Sequence, residues 1–127
     1  MRTQTEKVVI YTCQQIRRKQ KGNDMLKVYN MTSERSGREV ANQFVINSDN
    51  KIVFQSYDSP IVEIDETEKT VTVYPHWDYS MTTGKYRNQF MCENGFCDMG
   101  DKKGFAKAMK EGKTSRRGWQ EYTVKVA

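Results

Sequence analysis

The chain has 127 residues, which suits one hydrophobic core and is too short for two. It is 36% hydrophobic and 29% charged with a mean hydropathy of -0.87, polar for a globular protein, yet its aromatic and β-branched content excludes a wholly disordered chain. The net charge of +5 is unevenly spread: residues 1–21 and 101–118 each sum to +5, and residues 22–100 sum to -5. No stretch approaches the roughly 20 apolar residues of a membrane span, and the start Met1-Arg-Thr-Gln-Thr-Glu-Lys7 lacks the apolar core of a signal peptide. No membrane role and a cytoplasmic location are therefore expected.

Val8-Val-Ile-Tyr-Thr-Cys13 has strand composition, and Gly22-Asn-Asp24 supplies a turn before Leu26-Lys-Val-Tyr-Asn30. A basic N-terminal hairpin over about residues 7–31 is the predicted product, its tip carrying Arg17, Arg18, Lys19 and Lys21. Val40-Ala-Asn-Gln-Phe-Val-Ile46 and Ile52-Val-Phe-Gln-Ser-Tyr57 flank the turn Ser48-Asp-Asn-Lys51 and should pair as a hairpin. Pro60 lacks an amide donor and is expected to interrupt pairing before Ile61-Val-Glu-Ile-Asp65. Thr70-Val-Thr-Val-Tyr74 alternates with a period of two, as a half-buried strand does, which completes a sheet body over about residues 40–74 with one polar face.

Pro75 ends that strand and opens the densest aromatic stretch, Tyr74 to Phe90, with the single histidine, His76. Ser80, Thr82 and Thr83 are candidate N-caps of a helix from about Thr83 to Cys92, with Tyr86 and Phe90 four apart on its buried face. Trp77 is expected to pack, Asp78 and Ser80 to organise the turn and cap, and Lys85 and Arg87 to be free to face solvent or a partner. A second helix is capped by Asp101, buries Phe105, Ala108 and Met109, and presents Lys102, Lys103, Lys107 and Lys110; it ends at Gly112. This helical part covers about residues 82–112. Thr114-Ser-Arg-Arg-Gly118 reads as a basic loop containing Arg116 and Arg117, and residues 119–126 as a closing strand. The sum is a single α+β domain over residues 1–127: an antiparallel meander of about six to seven strands with one or two short helices in the C-terminal third.

Chemistry is sparsely signalled. A nucleophilic triad would need His76 as base, Ser56, Ser59, Ser80 or a cysteine as nucleophile, and Asp58 or Asp78 as orienter, but no motif frames them. Such a His76-dependent hydrolase is the alternative to a protein that is not an enzyme. Glu63, Asp65, Glu66 and Glu68 read as a solvated edge rather than a Mg²⁺ site. The odd cysteine count, Cys13, Cys92 and Cys97, argues for reduced thiols, and neither a metal nor a cofactor is expected. The partner-binding candidates are therefore of two kinds. One is the basic set Arg17, Arg18, Lys19, Lys21, Lys102, Lys103, Lys107, Lys110, Arg116 and Arg117. The other is the aromatic corner with Trp77, Tyr79, Lys85 and Arg87.

The runs Tyr29-Asn-Met-Thr-Ser33, Val40-Ala-Asn-Gln-Phe44, Phe54-Gln-Ser-Tyr-Asp-Ser59 and Trp77-Asp-Tyr-Ser80, followed by Thr82-Thr-Gly-Lys-Tyr-Arg-Asn-Gln-Phe90, resemble a family of small proteins encoded by phages and other mobile elements of bacteria, chiefly Gram-positive ones. The similarity covers about residues 27–92, and the last run is the most specific. What the resemblance implies is a genetic context: an accessory protein acting in the cytoplasm of the bacterial host. By analogy with such proteins, a non-enzymatic inhibitor of a host defence nuclease complex, anti-CRISPR-like, is expected, with a host defence protein or nuclease such as a CRISPR effector as partner. The alternative is a nucleic-acid-binding accessory protein whose basic arm and Lys-rich helix contact DNA or RNA phosphates. The sequence leaves the oligomeric state open.

Overall fold

The computed structural model describes residues 26–127. The strand expected at Val8 to Cys13 and the basic tip at Arg17, Arg18, Lys19 and Lys21 lie outside the described residues. The strands are β1 (Leu26–Thr32), β2 (Glu39–Ser48), β3 (Lys51–Ser56), β4 (Ser59–Asp65) and β5 (Thr70–Val73). They are followed by α1 (Met81–Glu93), a 3₁₀ turn (Cys97–Met99), α2 (Lys102–Glu111), β6 (Lys113–Arg116) and β7 (Gln120–Val126). Among the described residues one seven-stranded sheet runs in the order β1-β2-β3-β4-β5-β7-β6, and with the helices this is an α+β fold.

The first five strands form the expected meander, each pair joined by a short turn. Asp49 and Asn50 alone connect β2 to β3. The β4–β5 turn is held by Asp65, whose carboxylate accepts from the amides of Thr67 and Glu68 at 3.0 and 2.9 Å. The meander ends at β5, because β7 lies parallel to it, and a parallel neighbour needs a crossover. The two helices supply that crossover. Residues 114–116, expected in a loop, instead belong to the edge strand β6, which returns antiparallel on β7 through the left-handed pair Arg117 and Gly118 (φ 56 and 83).

Pro60 does not interrupt the sheet. It lies within β4 opposite Gln55, at a bulge where the register slips, and the extra residue Ile61 is fully buried in the main core. On one sheet face Val45, Phe54, Val62 and Val73 lie side by side, as do Ile52, Ile64, Val71 and Val124. Phe90 of α1 stacks on Phe54 at 5.6 Å, and Phe105 and Ala108 of α2 close the same core. The opposite face is less polar than the alternation of β5 suggested. Val28, Phe44, Ile46 and Val53 form a second buried cluster there, and Glu63 and Asp65, expected as a solvated edge, are buried as well. Lys51 at 3.5 Å and the Tyr74 hydroxyl at 3.2 Å partner Glu63. Burial nevertheless pushes its carboxyl above the usual range. Among the described residues no helix is long and apolar enough to cross a membrane.

Candidate functional site

The aromatic corner is built inward. Trp77 stacks on Phe105 at 5.3 Å with 15° between the planes, as a packed tryptophan should. Arg87 is the correction: it is 1% exposed, not free to meet a partner. Its guanidinium lies 5.3 Å from the Trp77 ring and 4.8 Å from Phe105, donating to the Trp77 carbonyl at 2.8 Å and twice to Asn88 Oδ1 at 3.1 and 2.7 Å. Asp78 stands 3.8 Å from Arg87 and 2.9 Å from Lys102, tying the corner to both helices. Burial lowers the pKa of Arg87, opposed by Asp78 and Asp101. One face of α1 must meet the sheet and α2 together, and a planar cation flanked by two rings fills that junction.

Beside the corner, three of the runs that carry the family resemblance converge. Ser80 caps α1, accepting from the Thr83 amide at 3.1 Å, and its hydroxyl lies 3.2 Å from that of Thr83. Thr83 in turn contacts Ser56 of β3, Oγ to Oγ1 at 3.0 Å, with both residues buried. Across from Ser56 lies Gln43, whose fully buried amide has no hydrogen-bond partner among the described residues. A groove of about 650 Å³ opens above these hydroxyls, lined also by Tyr57, Asp58, Ser59, His76, Tyr79 and Thr82. Tyr57 and Tyr79 are 49% and 68% exposed, so the exposed aromatics here are the two tyrosines and not Trp77. The groove thus gathers His76 with Ser56, Ser59, Ser80 and Asp58, the parts weighed for a triad. Ser56 and Ser80 hydrogen-bond Thr83, and the His76 ring meets the Tyr79 ring edge-on at 5.7 Å.

The basic C-terminal candidates separate by burial. Lys103, Lys107 and Lys110 follow one another at helical spacing on the side of α2 away from Phe105 and Ala108; all are exposed, and none has an ion-pair partner among the described residues. Lys102 is exposed but bound to Asp78. Lys85 is exposed, its ammonium 5.4 Å from the Tyr86 ring. Arg117 is exposed at the β6–β7 turn. Arg116 corrects the expectation of a basic loop: it is buried, donating to the Asn94 carbonyl at 2.9 Å, Glu66 at 2.9 Å and the Tyr122 hydroxyl at 3.0 Å. Burial opposes its charge, but the hydrogen bonds to Glu66 and Tyr122 hold its pKa above the ordinary arginine value. Spacing misses both buried arginines, because composition assigns arginine to the surface and only three-dimensional packing supplies their rings and carbonyls.

Cys92 and Cys97 are free, exposed cysteines; partial desolvation of the Cys92 sulfur and the neighbouring Cys97 push its thiol up. Among the described residues no cluster of three His, Cys, Asp or Glu side chains could hold a metal ion. A family of unknown function (DUF8033) matches residues 3–107, and the chain belongs to that family. No curated protein and no solved structure matches the chain.

Proposed function

We propose that this DUF8033 protein is a non-enzymatic accessory protein of a phage or other mobile element, acting in the bacterial cytoplasm as a stoichiometric, anti-CRISPR-like inhibitor of a host defence nuclease complex. The observation that carries the reading is the Lys103, Lys107 and Lys110 stripe, three exposed cations without acidic partners among the described residues, on a helix whose other side is locked into the core. Such a stripe matches surfaces that evolved to hold a nucleic-acid backbone, or the acidic rim of the protein that guards one.

The second reading, direct contact with DNA or RNA phosphates, rests on the same stripe. Affinity capture from host lysate, with and without nuclease treatment, separates the two. A nuclease-complex subunit retained after treatment, with its DNA cleavage lost at a one-to-one ratio, supports inhibition. Capture abolished by nuclease treatment, with salt-dependent affinity for free nucleic acid, supports the second reading. Retention of the same partner by the Lys103→Glu, Lys107→Glu, Lys110→Glu variant at unchanged affinity overturns the assignment of the stripe in both.

A further inference from the structure

We infer that the groove between the β3–β4 turn and the start of α1 is a binding site for a neutral, polyhydroxylated ligand, a sugar residue. Its volume, about 650 Å³, falls within the usual range for small-ligand sites. Its floor is the partly exposed Ser80 hydroxyl, held in place by Thr83, which is itself held by Ser56; these last two are buried, and Ser80, whose proton is engaged by Thr83, keeps a lone pair to accept from a ligand hydroxyl. Two exposed tyrosine rings, Tyr57 and Tyr79, flank that floor, and each offers an apolar face with a polar tip, the combination that covers the C–H face of a pyranose while meeting its hydroxyls.

Charge decides the class of ligand. Among the described residues no lysine or arginine lines the groove, and its one carboxylate is Asp58. That carboxylate repels a phosphate and accepts from a vicinal diol. The nucleic-acid backbone considered for α2 is therefore disfavoured here, and the site is independent of that reading. Tyr57 also adopts left-handed backbone (φ 56), which strains a tyrosine; the strand pairing holds it there, its amide donating to the Asn42 carbonyl at 2.7 Å and its carbonyl accepting from Gln55 at 2.9 Å.

The test is amide chemical-shift titration of the full-length protein with glucose, N-acetylglucosamine, maltose and chitobiose, with uridine and uridine monophosphate alongside. Saturable shifts confined to residues 56–59 and 76–83 with at least one saccharide are expected. Tyr79→Ala and Asp58→Asn should each weaken that binding about tenfold, an effect of about 1.4 kcal/mol, while Lys107→Ala leaves it unchanged. Tyr57→Asn, which keeps the left-handed turn and removes the ring, should weaken it likewise. The inference is overturned if no saccharide gives saturable shifts, if Tyr79→Ala binds as well as the parent, or if uridine saturates the same resonances more tightly than every sugar.

Discussion

Truncating Arg87 to alanine removes a guanidinium that is 1% exposed, makes three hydrogen bonds shorter than 3.2 Å and lies against two aromatic rings. The Trp77 carbonyl and the Asn88 side chain lose their donor, at about 1–3 kcal/mol for each group left unsatisfied, and the two ring contacts are worth about 0.5–2 kcal/mol each. Asp78 is not stranded, being 39% exposed and still bound to Lys102, so the full cost of an abandoned buried charge does not apply. Because Trp77 and Asn88 are only half-buried, these costs fall toward the low end of their ranges, and Arg87→Ala should destabilise the fold by roughly 3–5 kcal/mol. Arg87→Lys should lose about half as much, because an ammonium keeps the charge without the planar fork. Equilibrium urea unfolding reads this directly: with a slope of about 1–3 kcal/mol/M, the alanine midpoint falls by about 2 M. Lys85→Ala, two positions away and exposed, is the control and should stay within about 0.5 kcal/mol. An Arg87→Ala loss below about 1 kcal/mol would refute the buried junction and return Arg87 to the surface.

Three further outcomes follow from buried polar groups and one close approach. Gln43→Met removes a fully buried amide that has no partner among the described residues, so urea unfolding should find the variant neutral or more stable by about 1–2 kcal/mol; a loss above about 1 kcal/mol would mean the amide is satisfied. Glu63 has its carboxyl raised by burial, so the folded state holds the proton more tightly than the unfolded one, and its contribution to stability falls as pH rises from the ordinary value of 4.5 through the raised one. Against the non-ionising Glu63→Gln, wild type should lose relative stability across that window and show a constant difference above it, measured by urea midpoints from about pH 4 to 7. Gly104→Ala would drive a Cβ into the Asp98 carbonyl oxygen, backbone that cannot swing aside, and should cost about 1–3 kcal/mol by thermal or urea unfolding.

Period and turn chemistry were enough to read most strands and both helices. Val71 and Val73 bury while Thr70 and Thr72 do not, Ser80 and Asp101 cap their helices, and Gly112 ends α2 in left-handed backbone (φ 74). These are local decisions: a residue's neighbours within four positions fix its hydrogen bonds and its face, so the linear order contains the answer. Three features were decided only when distant segments met. The parallel seating of β7 on β5 depends on how the helical crossover packs, which no strand pattern records. Arg87 and Arg116 look like surface cations in sequence, and they become interior ones because Trp77, Phe105, Phe96 and Tyr122 arrive from elsewhere in the chain to surround them. The groove is the third: Ser56 and Thr83 are 27 residues apart, and only the packing of α1 over the end of β3 makes them one hydroxyl floor. Sequence settled what each segment would become on its own; burial, which depends on which segment lies opposite, settled what its polar side chains are for.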